Sequence, residues 1–327
     1  MLSKEDEIRA FQKKLSNKFR GVQSWWCKAL FHFTNIDNTI LILKKDKLFS
    51  RNEAIRLKLM QNDNANSNVI SKTSLEYRDY ARLYFAPSTP TQYNNEGFKP
   101  KSEIIHNAHC PMPIMFLFNF QKVFMLNNVK FTDGNLATNP NVYTNIQDLN
   151  KLNFSLIYHR SSFLPEERNT IINARHSEVL VKNFLEVNNY LERIYVRSQA
   201  EKETLLYQID ENIRKKYESK ITTNPTSNIF VEKWLYINKV FIEDSVLNIY
   251  WHHCETIEKC QEQYSLKIIL IDSETQNKKQ LVKTNWYPTE SLMKIKLSHE
   301  AIFEISIYLD ENIAYQNELM TSYWLPY

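Results

Sequence analysis

The chain has 327 residues, 43% hydrophobic and 24% charged, the ordinary mixture of a globular protein with a full core. A formal net charge of +4 permits a nucleic-acid partner without demanding one. Only three glycines occur, Gly21, Gly97 and Gly134, each alone, which excludes the clustered-glycine phosphate loops of dinucleotide folds and P-loop enzymes.

Any nucleotide bound here must therefore be held by side chains on a different fold. The opening run MLSKEDEIRAFQKK is charged from Lys4 onward and reads as neither leader nor anchor. The longest apolar runs, 113–118 and 268–271, are too short to span a bilayer, so a cytoplasmic protein without a membrane partner is expected. Cys27, Cys110, Cys254 and Cys260 have no framework spacing and read as reduced thiols. His252, His253 and Cys254 fall on a strand-like stretch, and Cys260 follows without a second ligand pair, so no metal site is expected.

In chain order, Ser3 caps a first helix with Ile8, Phe11, Leu15 and Phe19 on one face, ended by Gly21. The run SWWCKALFHFT (24–34) is strand-like and aromatic, and Thr34 reads as the N-cap of an apolar helix over 36–43. His32 then stands where a strand meets a helix N-terminus, a place that favours anions. The Asn-rich stretch 61–68 reads as a mobile loop. Segments 81–87 and 113–120 predict buried strands, with a polar, Pro-rich surface loop between them. A strand and an Asp133–Gly134 turn follow at 129–137, further strands at 175–183 and 191–198, and an amphipathic helix over 200–216.

The polar run 221–228, with Pro225, marks a domain boundary, giving 1–226 and 227–327. Beyond it, short alternating runs at 234–242, 246–253, 265–273, 280–287, 292–297 and 302–309 predict a β-sandwich of six to eight strands. The fold class is α+β, a mixed first domain followed by a small all-β sandwich.

Arg175, His176, Ser177 and Glu178 stand directly before a run of Val and Leu. Alone, this is a charged turn entering the core. Taken with FHFTNIDN (31–38), RLYFAPSTPTQY (82–93) and FTDG (131–134), however, RHSEVLV (175–181) resembles the DarT family of ADP-ribosyltransferase toxins. The resemblance runs in order from about residue 30 to 198, and the hallmark His-x-Thr-x-Ile-Asp-Asn is complete as His32, Thr34, Ile36, Asp37 and Asn38. That family takes NAD⁺, releases nicotinamide and attaches ADP-ribose to a base of single-stranded DNA. Two departures stand out. Ser88 replaces a commonly basic residue, and the family's arginine between the first two motifs has no obvious counterpart, leaving Arg82 and then Arg51 as candidates. The C-terminal sandwich lies outside the resemblance.

The resemblance implies an ADP-ribosyltransferase-like first domain, NAD⁺ as substrate and no metal. A carboxylate beside the ribose stabilises the oxocarbenium-like charge that develops as nicotinamide leaves, and takes a proton from the nucleophile; Glu178 is expected in that role. Arg82 or Arg51 would offset the pyrophosphate charge. His32 would bond the nicotinamide-ribose hydroxyls, with Thr34 and Asn38 holding carboxamide or ribose; otherwise His32 is a satisfied core histidine and Thr34 a cap. Tyr84 and Phe85 alternate faces, so one can stack on nicotinamide while the other packs the core. Tyr158, Arg160, Arg168, Arg175 and His176 offer rings and cations for nucleic acid, unless 157–176 is a solvated loop whose Glu166 and Glu167 offset its charge. Family analogy implies a toxin restrained by an antitoxin, with or without a chaperone, and used against phage. Two alternatives stay open: the same chemistry on RNA, blocking translation, and an inactive module that only binds NAD⁺ or nucleic acid.

Overall fold

The computed structural model describes residues 3–59, 74–104, 108–223, 228–252 and 263–321. The Asn-rich stretch 61–68, residues 224–227 of the boundary run, and His253, Cys254 and Cys260 lie outside the described residues. Two compact units interleave along the chain. The first comprises Met1–Asn94, Met115–Tyr195 and Thr226–Val231; the second comprises Asn95–Ile114, Val196–Pro225 and Glu232–Tyr327.

The first unit opens with the helix Lys4–Lys18, where the Ser3 hydroxyl accepts the Asp6 N–H at 3.2 Å and Ile8, Phe11 and Leu15 are buried. The helix stops ahead of Gly21, whose φ of +58° suits a residue without Cβ. Residues Gln23–Trp26 are helical rather than extended, so strand β1 begins only at Ala29 and runs Ala29–Asn35. Thr34 remains inside β1. Asn35 is the cap instead: its Oδ1 accepts the Ile36 N–H at 2.9 Å and starts the helix Ile36–Lys45.

The other strands of this unit are β2 (Lys47–Phe49), β3 (Tyr80–Tyr84), β4 (Pro113–Asn119), β5 (Lys130–Thr132), β6 (Val142–Tyr143), β7 (Glu178–Lys182), β8 (Phe184–Glu186) and β9 (Leu191–Val196). The main sheet has the order β9-β4-β1-β3-β7-β5-β6, with β2 and β8 forming a separate antiparallel pair. In β4 every residue from Pro113 to Phe118 is buried, as expected of a central strand without an alternating polar face. An aromatic cluster fills the core: Phe85 packs against Phe120, Phe124, Phe131 and Phe154, and Phe154 packs against Phe11 and Tyr158. Each such pair contributes roughly 0.5–1.5 kcal/mol beyond its burial.

The expected surface loop between β3 and β4 is instead substantially buried. It contains the helix Pro90–Asn95 and a single turn at Lys101–Glu103, and Gln92, Glu96, Phe98 and Cys110 are all enclosed. Its polar composition misled because buried polar groups are tolerated where they are paired. The Gln92 amide accepts the Ser88 N–H at 2.8 Å and donates to the Ile229 carbonyl at 2.8 Å.

The second unit contains β10 (Ile221–Thr223), β11 (Tyr236–Glu243), β12 (Val246–His252), β13 (Tyr264–Asp272), β14 (Lys278–Trp286), β15 (Leu292–Lys296), β16 (Ile302–Leu309) and β17 (Asn312–Met320). Strands β11-β12-β15 and β14-β13-β16-β17 form two antiparallel sheets around one core that includes Ile249, Trp251, Ile268, Ile305 and Ile307. The inward residues alternate along β13, giving the sandwich the period-2 pattern its sequence carries. The expected helix over 200–216 is two helices, Gln199–Gln208 and Glu211–Tyr217, because Asp210 takes an extended conformation and its Oδ1 caps the Ile213 N–H at 3.0 Å. Among the described residues, no helix is long and apolar enough to cross a membrane.

Candidate active site

Strands β1, β3 and β7 are neighbours in the main sheet. Glu178 is the first residue of β7 and pairs in register with Tyr84, the last of β3. Directly opposed residues share a face, and so does Arg82 two residues back along β3. The chain thereby brings one acid, one phenol and one guanidinium together. Arg82 Nη1 lies 3.5 Å from Glu178 Oε1, and the Tyr84 hydroxyl is near enough to act on the same carboxylate.

Glu178 is only 2% exposed, whereas the Arg82 side chain keeps 27% of its surface. Burial pushes the Glu178 carboxyl above its ordinary value, while the Arg82 charge and the Tyr84 hydroxyl pull it back. Burial and the neighbouring Glu178 carboxylate lift the Tyr84 phenol well above its usual range, so it stays a donor. Glu178 Oε2 is enclosed and has no hydrogen-bond partner. A buried carboxylate oxygen left in that condition is costly, and such exceptions concentrate where a ligand or reaction uses them.

Two contacts hold Glu178 in place, and neither was assigned from the sequence. Its N–H donates to Thr132 Oγ1 at 3.0 Å, and that hydroxyl donates to the Gly134 carbonyl at 2.8 Å. Against Gly134 lies Asn173, whose amide a Cβ at position 134 would meet at 2.4 Å. Asn173 Oδ1 accepts the Asn135 N–H at 3.1 Å and the Thr138 hydroxyl at 2.9 Å. The FTDG motif was the available signal; its Thr and Gly together anchor the start of β7.

His32 Nδ1 sits 3.0 Å from the Arg82 carbonyl. A carbonyl only accepts, so Nδ1 carries the proton. Burial lowers the His32 pKa to about 4, leaving a neutral ring whose Nε2 lone pair is an acceptor. One turn on, the Asn38 amide donates to Thr34 Oγ1 at 3.2 Å, so these two residues of the hallmark motif hold each other.

Other expectations need revision. Phe85 is fully buried in the aromatic core and presents no ring to a ligand, so of the alternating pair Tyr84 faces the carboxylate. Tyr158 is 1% exposed, packed edge-on against Trp26 and Phe19, and offers nothing to nucleic acid; the alternation of apolar and polar residues around it hid a core position. Arg175 donates to the Ser88 carbonyl, so a cation does reach the position where Ser88 replaces a basic residue, but it comes from another element. His176 donates from Nδ1 to the Ile172 carbonyl at 2.8 Å and accepts from Thr91 Oγ1 at Nε2, 3.2 Å away; burial lowers its pKa. Arg175 and His176 thus tie the end of helix Arg168–Arg175 to the loop after β3. Arg160 and Arg168 are exposed in a solvated stretch, 160–170, that also displays Phe163 and Leu164. Arg51 opens the helix Arg51–Arg56; its neighbour Ser50 donates its N–H to the Asn183 carbonyl, which places Arg51 at the end of β7 opposite Glu178. Among the described residues, no three His, Cys, Asp or Glu side chains are grouped to hold a metal.

Comparison with known proteins adds the family. The model of the family described as "ssDNA thymidine ADP-ribosyltransferase, DarT" matches residues 31–230. Among solved structures, the chain is similar to Thermus sp. 2.9 DarT in complex with ADP-ribosylated ssDNA, at 19% identity and a TM-score of 0.49, covering 61% of this chain and 95% of that one. It is also similar to the same Thermus protein in complex with NAD⁺, at 20% identity and a TM-score of 0.47, covering 61% and 96%. A third similarity is to Thermosipho africanus DarTG in complex with ADP-ribose, at 18% identity and a TM-score of 0.45, covering 65% and 53%. No curated protein sequence matches the chain. With the family model spanning more than half its length, the chain belongs to the DarT family of NAD⁺-dependent ssDNA ADP-ribosyltransferases.

Proposed function

We propose that Glu178 is the catalytic carboxylate of a transfer of ADP-ribose from NAD⁺ to a base of single-stranded DNA. The observation that carries this reading is the state of that side chain. Oε1 faces Arg82, while Oε2 is buried with no partner. Burial raises the carboxyl's pKa and Arg82 opposes that in part, and in its ionised form a partly desolvated carboxylate stabilises positive charge more strongly than one in water. In the reaction the ribose–nicotinamide bond breaks with its electron pair leaving on nicotinamide, and a base nitrogen forms the new bond to the same carbon. The Glu178 carboxylate stabilises the cationic ribose and receives the proton that the nitrogen gives up. The raised pKa of Glu178 suits it to that second task.

His32 binds through its Nε2 acceptor, taking a hydrogen bond from a ribose hydroxyl. The Thr34–Asn38 pair lies at the N-terminus of the following helix and orients the carboxamide or ribose. Tyr84 positions the carboxylate. Arg82 is the arginine of the site in preference to Arg51, because β7 separates Arg51 from Glu178 by about five residues, roughly 16 Å of extended chain. Arg160 and Arg168, with Phe163 displayed between them, attract and stack the acceptor strand. The residues given catalytic roles all lie in the first unit, and the accessory β-sandwich lies in the second. In the cell the chain acts as a toxin restrained by an antitoxin protein, in defence against phage.

The test is transfer of label from NAD⁺ in parallel to single-stranded DNA, RNA and protein, by wild type and Glu178→Gln. Label on DNA that falls about 10²–10⁴-fold in the variant is expected. Label on RNA would reassign the acceptor, and equal labelling by the variant would remove Glu178 from the chemistry. Growth arrest by the wild type, relieved in Glu178→Ala, tests the toxin reading separately.

A further inference from the structure

The β-sandwich of the second unit has a cleft of about 140 Å³ at one margin, where the edge strand of one sheet, β14, stands beside the edge strand of the other, β15. Its floor is apolar: Ile268 and Leu270 of β13, Phe303 of β16 and Ile295 of β15. In register, Leu281 of β14 opposes Ile268 and Lys279 opposes Leu270, so a lysine occupies a core-facing position at the edge. Its Nζ donates to Ser298 Oγ, 2.6 Å away, and both residues line the cleft. Ser298 contacts His299 Nδ1 at 2.9 Å, and His299 Nε2 lies 2.7 Å from Asp272. That chain of polar contacts fixes the rim. Asp272 is engaged by the N–H groups of Glu274 and Thr275, which makes it a turn residue rather than a catalytic one.

Three properties of this margin point to one kind of occupant. The volume is close to that of the cavity of about 150 Å³ known to take one benzene ring, and well below the roughly 300 Å³ at which small-molecule sites begin. It therefore holds a single apolar side chain. Both walls are edge strands, and no described strand pairs with their outer sides, so alternate backbone N–H and C=O groups of β14 and β15 face outward. Finally, the nine residues of β14 and the five of β15 contain five lysines (Lys278, Lys279, Lys283, Lys294 and Lys296) and no carboxylate. Lysines on edges commonly guard against aggregation, but a guard needs no apolar slot behind it.

We infer that this margin binds an extended acidic peptide segment of a partner protein, which adds as a strand along β14 and sets one aromatic or large aliphatic side chain into the cleft. Backbone pairing supplies the binding mode, the cleft selects the anchor residue, and the lysines select flanking carboxylates. The site is independent of the ADP-ribosyl transfer assigned to the first unit.

The test uses the full chain and a labelled peptide matched in length to β14, Glu-Val-Glu-Thr-Phe-Thr-Glu-Val-Glu, followed by fluorescence anisotropy. Saturable binding is expected, weakened more than tenfold when Phe becomes Ala, when both Thr become Pro, or when the Glu residues become Lys. Lys279→Glu/Lys296→Glu should lose the acidic peptide and gain the basic one, while melting as the wild type does. A second variant, Leu281→Asn, should weaken binding without reversing the charge preference. In hydrogen exchange, bound peptide should slow amides of β14 and leave β17, the far edge of the same sheet, unchanged. Absence of saturable binding, or binding indifferent to the Phe, the prolines and the lysine reversal, overturns the inference. So does a charge-reversed variant that merely self-associates while the wild type ignores the peptide, since the lysines are then guards.

Discussion

In the folded chain burial favours the neutral form of Glu178, with Arg82 and Tyr84 opposing that preference only in part. Because the folded pKa is raised above the ordinary 4.5, the stability attached to this group is complete below that value and is lost as pH rises through the folded pKa. Glu178→Gln removes the charge and keeps the shape. We expect the variant to melt about 2–4 °C above the wild type near pH 8, with the difference gone near pH 4, while transfer to DNA collapses. Melting curves at several pH values check this; a variant less stable than the wild type at every pH would mean that the Arg82 pairing outweighs the burial. His32 behaves in the opposite sense. Its folded pKa of about 4 lies below the ordinary 6.5, so its contribution is present above 6.5 and is lost as pH falls through about 4. His32→Gln should therefore narrow the acid sensitivity of the fold and raise KM for NAD⁺ several-fold, the cost of about one neutral hydrogen bond. An imidazole titration followed by NMR that shows His32 protonating near 6.5 would contradict the pKa lowered by burial.

Elements set how much of this was legible in advance. Glu178 at the mouth of β7 and Arg82 and Tyr84 on one face of β3 follow from period-2 alternation, which a sequence displays directly. Asn35 and Thr34 are adjacent and both suited to capping, so only the backbone turn at Asn35 decides between them. The tie between His176 and Thr91 joins residues 85 apart, and nothing local announces it. Likewise the FTDG turn was readable as a turn, but its packing against Asn173 was not. That packing makes Gly134 the residue to change. A Cβ there displaces the Asn173 amide and with it the hydrogen bonds to Asn135 and Thr138. Gly134→Ala should lose about 1–3 kcal/mol of stability and lower kcat, because Thr132 and the start of β7 shift together. Gly134→Ala/Asn173→Ala should recover part of the stability by relieving the overlap. If the double variant is no better than the sum of the single ones, the contact does not limit position 134.

At the scale of the whole molecule, the family segment and the packing divide the chain differently. The family model ends at residue 230, yet Val196–Pro225 belongs to the same compact unit as the sandwich strands. Within that unit, Ser198 Oγ donates to the Ile237 carbonyl at 2.6 Å, Gln316 donates its N–H to Thr204 Oγ1 at 3.0 Å, and Tyr315 donates to Glu203 at 3.0 Å. A chain cut after residue 230 loses Ile237, Tyr315 and Gln316, exposing the buried face of helix Gln199–Gln208. It should aggregate or lose cooperative melting even though it retains every residue of the proposed active site; a monomeric, sharply melting fragment would show that the sandwich is dispensable. The same unit contains the ion pair Arg197–Glu201, fully buried, with Arg197 Nε 2.9 Å from Glu201 Oε1, its Nη2 on the Pro111 carbonyl, and its guanidinium over the Tyr236 ring. Removing one charge of such a pair strands the other in the core, at a cost of about 3–5 kcal/mol. Glu201→Gln should therefore lower the melting temperature of this unit far more than any exchange among the exposed lysines of β14. Exchanging both partners, Arg197→Met/Glu201→Leu, should recover most of the loss, because apolar groups of similar volume carry no desolvation penalty. A double variant as unstable as Glu201→Gln alone would instead assign the loss to the hydrogen bonds that Arg197 makes with the Pro111 carbonyl and that Glu201 makes with the Arg197 N–H.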